Sequence, residues 1–142
     1  MAPDLILQTG QTAPVRSITF SPDGKLLASG GFGELAIHLW EPSTGRQLRL
    51  LTGHVGGIGA FSSGVTALEF SPDSRFLAAG YSDSSMGIWD VATGEEVLVT
   101  PGGGNKLMSA AGVLGFAFSS DGGLLASTDG AATKIWDLST GS

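Results

Sequence analysis

One pattern of residues occurs three times along the chain, and this repetition constrains the fold more than any single motif. Each copy has an apolar run ending in Phe, a turn containing Asp, a second apolar run, and a third run that reaches a Trp. The tryptophans are Trp40, Trp89 and Trp136, which are 49 and 47 residues apart. A fixed period of this length is typical of solenoids, propellers and other repeat arrays.

Each copy is interpreted as short β-strands separated by tight turns. In the second copy, residues 71–74 follow Phe70 and favour a turn, because Pro72 fixes φ and Asp73 can bond its own backbone. Apolar runs of strand length follow at 75–80 and 86–90. No segment has a convincing helical period. Short strands between Gly, Pro and Asp turns therefore predict an all-β fold built from propeller blades.

The number of predicted strands sets the number of blades. The chain has one leading strand at 5–9, followed by repeat units at 15–54, 65–100 and 113–142. The first two units have four strands each and the third has three. We therefore expect a single repeat region with three blades, in which the last blade lacks its fourth strand. The leading segment LILQT has the apolar character of such a strand.

Composition excludes several classes of function. The net charge of −6 argues against a nucleic-acid partner, which requires a basic surface. Cysteine is absent, so disulfide and thiolate chemistry are excluded. No apolar run approaches the ~18 residues of a membrane span, and the start of the chain lacks the basic region of a secretory signal. We expect a cytoplasmic protein with no membrane and no nucleic-acid partner.

Two short motifs give the chain a family resemblance. Gly53-His54 is followed after about thirty residues by Trp89-Asp90, and the turn FSPDG at 20–24 precedes the strand residues LAS at 27–29. With these motifs in three copies that are in phase, the chain resembles the WD-repeat family of β-propellers. The resemblance covers nearly the whole chain.

The resemblance implies a buried polar network in each blade, which links a loop His, a strand hydroxyl, a turn Asp and the Trp. No copy has all four groups, and Ala79 stands where the second copy should have its hydroxyl. We interpret the residues in these places as structural, because buried polar groups need partners and neither a nucleophile nor a metal cluster accompanies His54 and Asp83. The network residues are Ser29, Trp40, His54, Asp83, Trp89, Ser127, Asp129 and Trp136.

The resemblance also implies that several turns and two Gly-rich loops, at 55–64 and 101–112, open on the face where the family most often binds partners. Apolar and aromatic side chains rimmed by acidic residues suit a protein or peptide contact. The alternative is that these side chains cap the blade cores or pack subunit against subunit. The candidates are Phe32, Tyr81, Ile58, Phe61 and Met108.

The predicted function is a non-catalytic scaffold that presents loops to a protein or peptide, without a cofactor or metal. Two alternatives remain open: a propeller that binds a small molecule or glycan in its central channel, and a fragment of a larger WD-repeat protein. His38 is interpreted as a surface or interblade residue, and Glu69 as a solvated channel charge. The loop GGGNK at 102–106 lacks the Gly-Lys-Ser/Thr order of a phosphate loop.

Three blades are too few to close a ring, because propellers typically have four to eight. An open array would leave apolar faces and strand edges in water, which favours association. We therefore expect the strand at 5–9 to complete the last blade of another copy. A dimer would have six blades and a trimer nine. The dimer is favoured, since six lies in the usual range and twofold symmetry is the most common.

Overall fold

A computed structural model describes residues 14–31, 36–52, 64–100, 112–128 and 132–138. This part of the chain contains eleven β-strands and no helix, which confirms the predicted all-β fold. The predicted strand at 5–9 lies outside the described residues. The strands are β1 (Val15–Phe20), β2 (Leu27–Gly31), β3 (Ile37–Glu41), β4 (Arg46–Leu51), β5 (Val65–Phe70), β6 (Phe76–Tyr81), β7 (Met86–Asp90), β8 (Glu95–Thr100), β9 (Gly115–Phe118), β10 (Leu124–Thr128) and β11 (Thr133–Asp137).

The strands form three antiparallel sheets in which every strand pairs with its neighbour in sequence. The first blade is β1-β2-β3-β4, the second is β5-β6-β7-β8, and the third is β9-β10-β11. Because successive strands are hydrogen-bonded neighbours, each sheet is a meander. The third blade has three described strands where the others have four.

The turn between the first two strands of each blade has the same hydrogen bonds in all three copies. In the first copy, the Ser21 hydroxyl lies 2.6 Å from an Asp23 oxygen, and that carboxylate accepts the N–H of Lys25 at 3.0 Å. The Leu26 N–H donates to Ser21 Oγ at 3.0 Å. β2 begins at Leu27, directly after this turn.

Each sheet has two distinct faces, because side chains alternate along a strand. We call the face that carries the tryptophan the Trp face and the opposite face the back face. Register places Ser29, His38 and Trp40 together on the Trp face of the first blade. Ala28 and Leu39 lie on its back face.

The blades stack in one direction, with the Trp face of each blade on the back face of the one before. The first core joins Ala28, Ile37, Leu39 and Leu51 of the first blade to Leu68, Phe70, Leu77 and Trp89 of the second. The second core joins Ala78, Met86 and Ile88 to Leu125, with Phe116, Phe118 and Trp136 partly buried against it. Both joints therefore use the same pair of faces.

Two glycines allow adjacent blades to approach closely. A Cβ added at Gly30 would lie 2.7 Å from the Cβ of Val65 at the start of the second blade. A Cβ at Gly80 would likewise overlap the side chain of Val113, just before the third blade. A larger residue at either position would force the blades apart.

Candidate functional site

The first blade contains a buried group of polar side chains around Trp40. Its indole N–H donates to Ser29 Oγ at 2.8 Å. The His38 ring stacks on Trp40, with 5.8 Å between ring centroids and 11° between ring planes, and its Nδ1 lies 3.0 Å from Gln47 Oε1. His38 is buried beside the tryptophan of its own blade, so the surface position is wrong, and the alternative interblade position stays a prediction.

The third blade repeats the pairing of indole and hydroxyl. The Trp136 N–H donates to Ser127 Oγ at 3.2 Å, and Ser127 is buried. The structure thus brings together Ser29 with Trp40, and Ser127 with Trp136. Asp129 lies outside the described residues, so its place in this blade stays a prediction.

The second blade has no hydroxyl at the equivalent position, because Ala79 stands there. The buried Trp89 indole nitrogen has no hydrogen-bond partner among the described residues. Tyr81, two residues farther along the same face, is fully buried. Burial raises the pKa of the Tyr81 hydroxyl well above its ordinary value.

Asp83 organises the turn after β6. Its carboxylate accepts the backbone N–H of Ser85 at 2.8 Å and also the Ser85 hydroxyl. His54 lies outside the described residues, so its pairing with Asp83 stays a prediction. Asp83 therefore holds a turn through local hydrogen bonds, as Asp residues commonly do.

The predicted partner face receives one correction. Tyr81 is completely buried in the core between the first and second blades, so it does not offer a side chain to a partner. The physical reason is that its position on β6 lies on the Trp face, which the first blade covers. The other candidates, Phe32, Ile58, Phe61 and Met108, lie outside the described residues.

Two blade faces expose large apolar side chains at positions that are buried elsewhere. On the Trp face of the first blade, Ile18 is 62% exposed, whereas its counterpart Leu68 in the second blade is 7% exposed. On the back face of the third blade, Ile135 is 71% exposed, whereas its counterparts Leu39 and Ile88 are 2% and 4% exposed. We call these two surfaces the terminal faces.

An apolar groove lies at the outer edge of the joint between the second and third blades. Its volume is about 200 Å³. It adjoins β11, and no described strand pairs with the outer edge of β11. Sequence reasoning missed this groove, because it depends on residues from two blades. Its described lining residues are Phe76, Ile88, Val97, Leu98 and Leu138.

Polar contacts between blades were also not foreseen. The Arg49 guanidinium on β4 donates to the carbonyl oxygens of Thr93, at 2.9 Å, and Ala92, at 3.2 Å. These two residues belong to the turn before β8, so the contact joins the outer edges of the first and second blades. An alternating strand pattern gives no signal for such a contact.

The described residues contain no cluster of three or more His, Cys, Asp or Glu side chains able to hold a metal ion. They also include no helix long and apolar enough to cross a membrane. Glu69 on β5 is partly buried, and desolvation raises its pKa.

Four-stranded antiparallel meanders stacked face to face, each with a tryptophan on the same strand, define blades of a β-propeller repeat protein. The chain belongs to the WD40 repeat family. The family model described as "WD domain, G-beta repeat" matches residues 5–41 and 45–90, which is more than half of the chain. Members of this family are generally non-catalytic scaffolds for protein interactions.

Several larger proteins are similar to the chain. A periodic tryptophan protein 2 homolog from Schizosaccharomyces pombe is 30% identical over 92% of the chain and 14% of its own length. WD repeat-containing protein 1 from Xenopus tropicalis is 37% identical over 58% of the chain and 13% of its length. Small ribosomal subunit protein RACK1 from Caenorhabditis elegans is 36% identical over 62% of the chain and 24% of its length. The chain therefore spans less than a quarter of each of these relatives.

Proposed function

We propose that the chain is a non-catalytic scaffold whose blades hold loops in fixed positions for a protein or peptide, and whose copies associate to complete a ring. In this proposal the chain is a single repeat region with units at 15–54, 65–100 and 113–142. A cytoplasmic location stays a prediction from the sequence.

One observation carries the self-association part of the proposal. The exposed Ile135 occupies the position at which Leu39 and Ile88 are buried by a following blade. The exposed Ile18 occupies the position at which Leu68 is buried by a preceding blade. One terminal face is a Trp face and the other is a back face. These are the two kinds of face that pack against each other at both joints. Burial of such side chains stabilises association by about 25 cal/mol per Å² of apolar area.

A head-to-tail contact would join the Trp face of the first blade in one copy to the back face of the third blade in another copy. Such a contact is heterologous, so it closes into a ring when the rotation per copy permits it. Two copies would give six blades and three would give nine. Six lies within the usual range of propellers, which supports the dimer.

The test measures molar mass in solution by light scattering for the wild-type chain and for Ile135→Asp. We expect a dimer for the wild type and a monomer for the variant, because a carboxylate on the terminal face cannot be buried without a partner. Val99→Asp is the matched control, since Val99 is half exposed on β8 and lies away from both terminal faces. A folded wild-type monomer at high concentration would contradict self-association.

A second candidate is that the terminal faces are covered by further blades of a longer chain. The small share of each relative that the chain spans favours this alternative. The same measurement separates the two, because a piece of a longer propeller has no reason to form a defined dimer that Ile135→Asp dissociates. Nonspecific aggregation of both the wild type and Ile135→Asp would support this second candidate.

A further inference from the structure

We propose that Thr128 is a specificity-determining residue of the contact between copies, because its side chain keeps Val15 of a second copy farther away than the equivalent valines lie inside the chain. This inference rests on the proposed self-association and concerns the strength of that same contact. It implies that the joint between copies is looser than either joint within one chain. The assembly would then dissociate into chains whose own blades stay joined.

The first argument is a close approach that occurs at both joints inside the chain. Gly30 at the end of β2 lies against Val65 at the start of β5, and Gly80 in β6 lies against Val113, just before β9. An added Cβ would lie 2.7 Å from the Cβ of Val65 and 2.4 Å from that of Val113. Carbon atoms pack at about 3.5–4.0 Å, so neither joint has room for a side chain at the glycine position.

The second argument is that the strand register places Thr128 at the equivalent position of the third blade. Gly30 and Gly80 each pair with the first strand of their own blade, two residues after an alanine on the back face. Thr128 does the same in the third blade, two residues after Ala126. Because side chains alternate along a strand, Thr128 shares the back face with Ala126 and with the exposed Ile135.

The third argument is that Val15 is the counterpart of the two buried valines. It begins β1, as Val65 begins β5, and it is 53% exposed. Val65 and Val113 are 1% and 4% exposed, since each lies against the glycine of the preceding blade. A second copy that stacked its first blade on the back face of the third blade would therefore bring its Val15 to Thr128.

The side chain of Thr128 cannot turn out of the way at this point. Its Cβ already occupies the space that is missing at the two glycines, and a methyl and a hydroxyl group extend from that Cβ. Threonine is stiff at χ1, and the Thr128 hydroxyl donates to the carbonyl oxygen of Ala132 at 3.1 Å. The two copies must therefore lie farther apart here than blades of one chain do, and the side chains around this point lose dispersion contacts.

The test measures the dissociation constant of the full-length chain by light scattering over a dilution series, for the wild type and for Thr128→Gly. We expect Thr128→Gly to associate at least ~10-fold more tightly, because the joint between copies can then close as the internal joints do. Val15→Gly relieves the same overlap from the other copy and should also tighten association. The double variant should gain no more than Thr128→Gly alone, since the two side chains act through one contact.

Two control variants separate the steric effect from other effects of losing a threonine. Thr128→Ala loses the same hydroxyl but keeps the Cβ, so its dissociation constant should stay near that of the wild type. Thr133→Gly removes the threonine that pairs with Thr128 on the neighbouring strand, at a position away from the glycine–valine approach. It carries the same cost of glycine in a strand and should not tighten association.

The outcomes distinguish this inference from the proposed self-association. Tighter association of Thr128→Gly than of Thr128→Ala and Thr133→Gly supports the inference. A wild-type monomer together with a Thr128→Gly dimer also supports it, and contradicts self-association of the natural chain. Equal dissociation constants for the wild type, Thr128→Gly and Val15→Gly overturn the inference, while a dimer that Ile135→Asp dissociates leaves the proposed self-association standing. Absence of association in all variants overturns both.

Discussion

At the scale of single residues, the tryptophan of each blade differs in the hydrogen bonding of its indole N–H. Trp40 and Trp136 donate to serine hydroxyls, whereas Trp89 faces Ala79. The family resemblance predicted the pairs Ser29–Trp40 and Ser127–Trp136, which the structure contains, while the places of His54 and Asp129 in the network stay predictions. It did not predict the stacking of His38 on Trp40, since side-chain rotamers depend on three-dimensional packing.

The hydroxyl position gives a pair of opposite predictions. Ser29→Ala leaves the buried Trp40 N–H without its acceptor, and should lower the free energy of unfolding by about 1–3 kcal/mol. Ala79→Ser offers the Trp89 N–H an acceptor, and should raise the free energy of unfolding by up to about 1 kcal/mol. Chemical denaturation at one fixed protein concentration measures both. A loss of stability in Ala79→Ser equal to that in Ser29→Ala would contradict the equivalence of the two positions.

The three Asp turns predict a pH dependence of stability. Hydrogen bonds from a Ser hydroxyl, followed by a backbone N–H, lower the pKa of Asp23, Asp73 and Asp121 below the ordinary 3.8. Between the folded-state pKa values and the unfolded value of 3.8, the unfolded chain binds more protons than the folded chain. The stability that these carboxylates contribute is therefore complete above pH 3.8 and is lost as pH falls through the folded-state pKa values. Thermal melts between about pH 6 and about pH 2.5 should show this loss.

The control for the pH prediction is the triple Asp→Asn variant at these turns. Asparagine keeps an acceptor oxygen and does not titrate, so the acid part of the stability curve should flatten. A curve that keeps the wild-type slope below pH 4 would assign the acid sensitivity to other carboxylates.

At the scale of strands and joints, the sequence predicted the type of the secondary-structure elements and their order more accurately than the residues at which each strand begins and ends. The second strand of the second blade begins at Phe76 and not at residue 75, because the N–H of Arg75 donates to the Asp73 carboxylate within the turn. The close approach of blades at Gly30 and Gly80 was not predicted. In a chain with 23 glycines, composition does not separate those in turns from those at blade joints.

Gly80→Ala tests the close approach between the second and third blades. The added methyl would overlap Val113, whose contact lies at Cβ and cannot swing away, so we expect a loss of about 1–3 kcal/mol in the free energy of unfolding. Gly115→Ala is the matched control, because nothing lies within 4 Å of its added Cβ. Comparable losses in the two variants would indicate a backbone effect and would contradict a steric cause.

At the scale of the whole molecule, the blades are joined by one repeated type of contact. The Trp face of each following blade covers the back face of the preceding one, with apolar residues in the same register at both joints. The repeat was visible in the sequence, and so was the shortage of blades for a ring. Which face of each outer blade lacks a described neighbouring blade was not visible, because it depends on the pairing of strands and the direction of stacking.

The position of the second blade between two others also has a dynamic consequence. Each of its faces is covered by a described neighbour, whereas each outer blade packs against only one described blade and exposes a large apolar side chain, Ile18 or Ile135, on its other face. In the dissociated chain, amide protons of β6 and β7 should exchange with deuterium more slowly than those of β2, β3 and β10. In a closed ring every blade has two neighbours, and the protection should become even along the sequence. Mass spectrometry of exchanged wild type and Ile135→Asp would therefore report ring formation blade by blade.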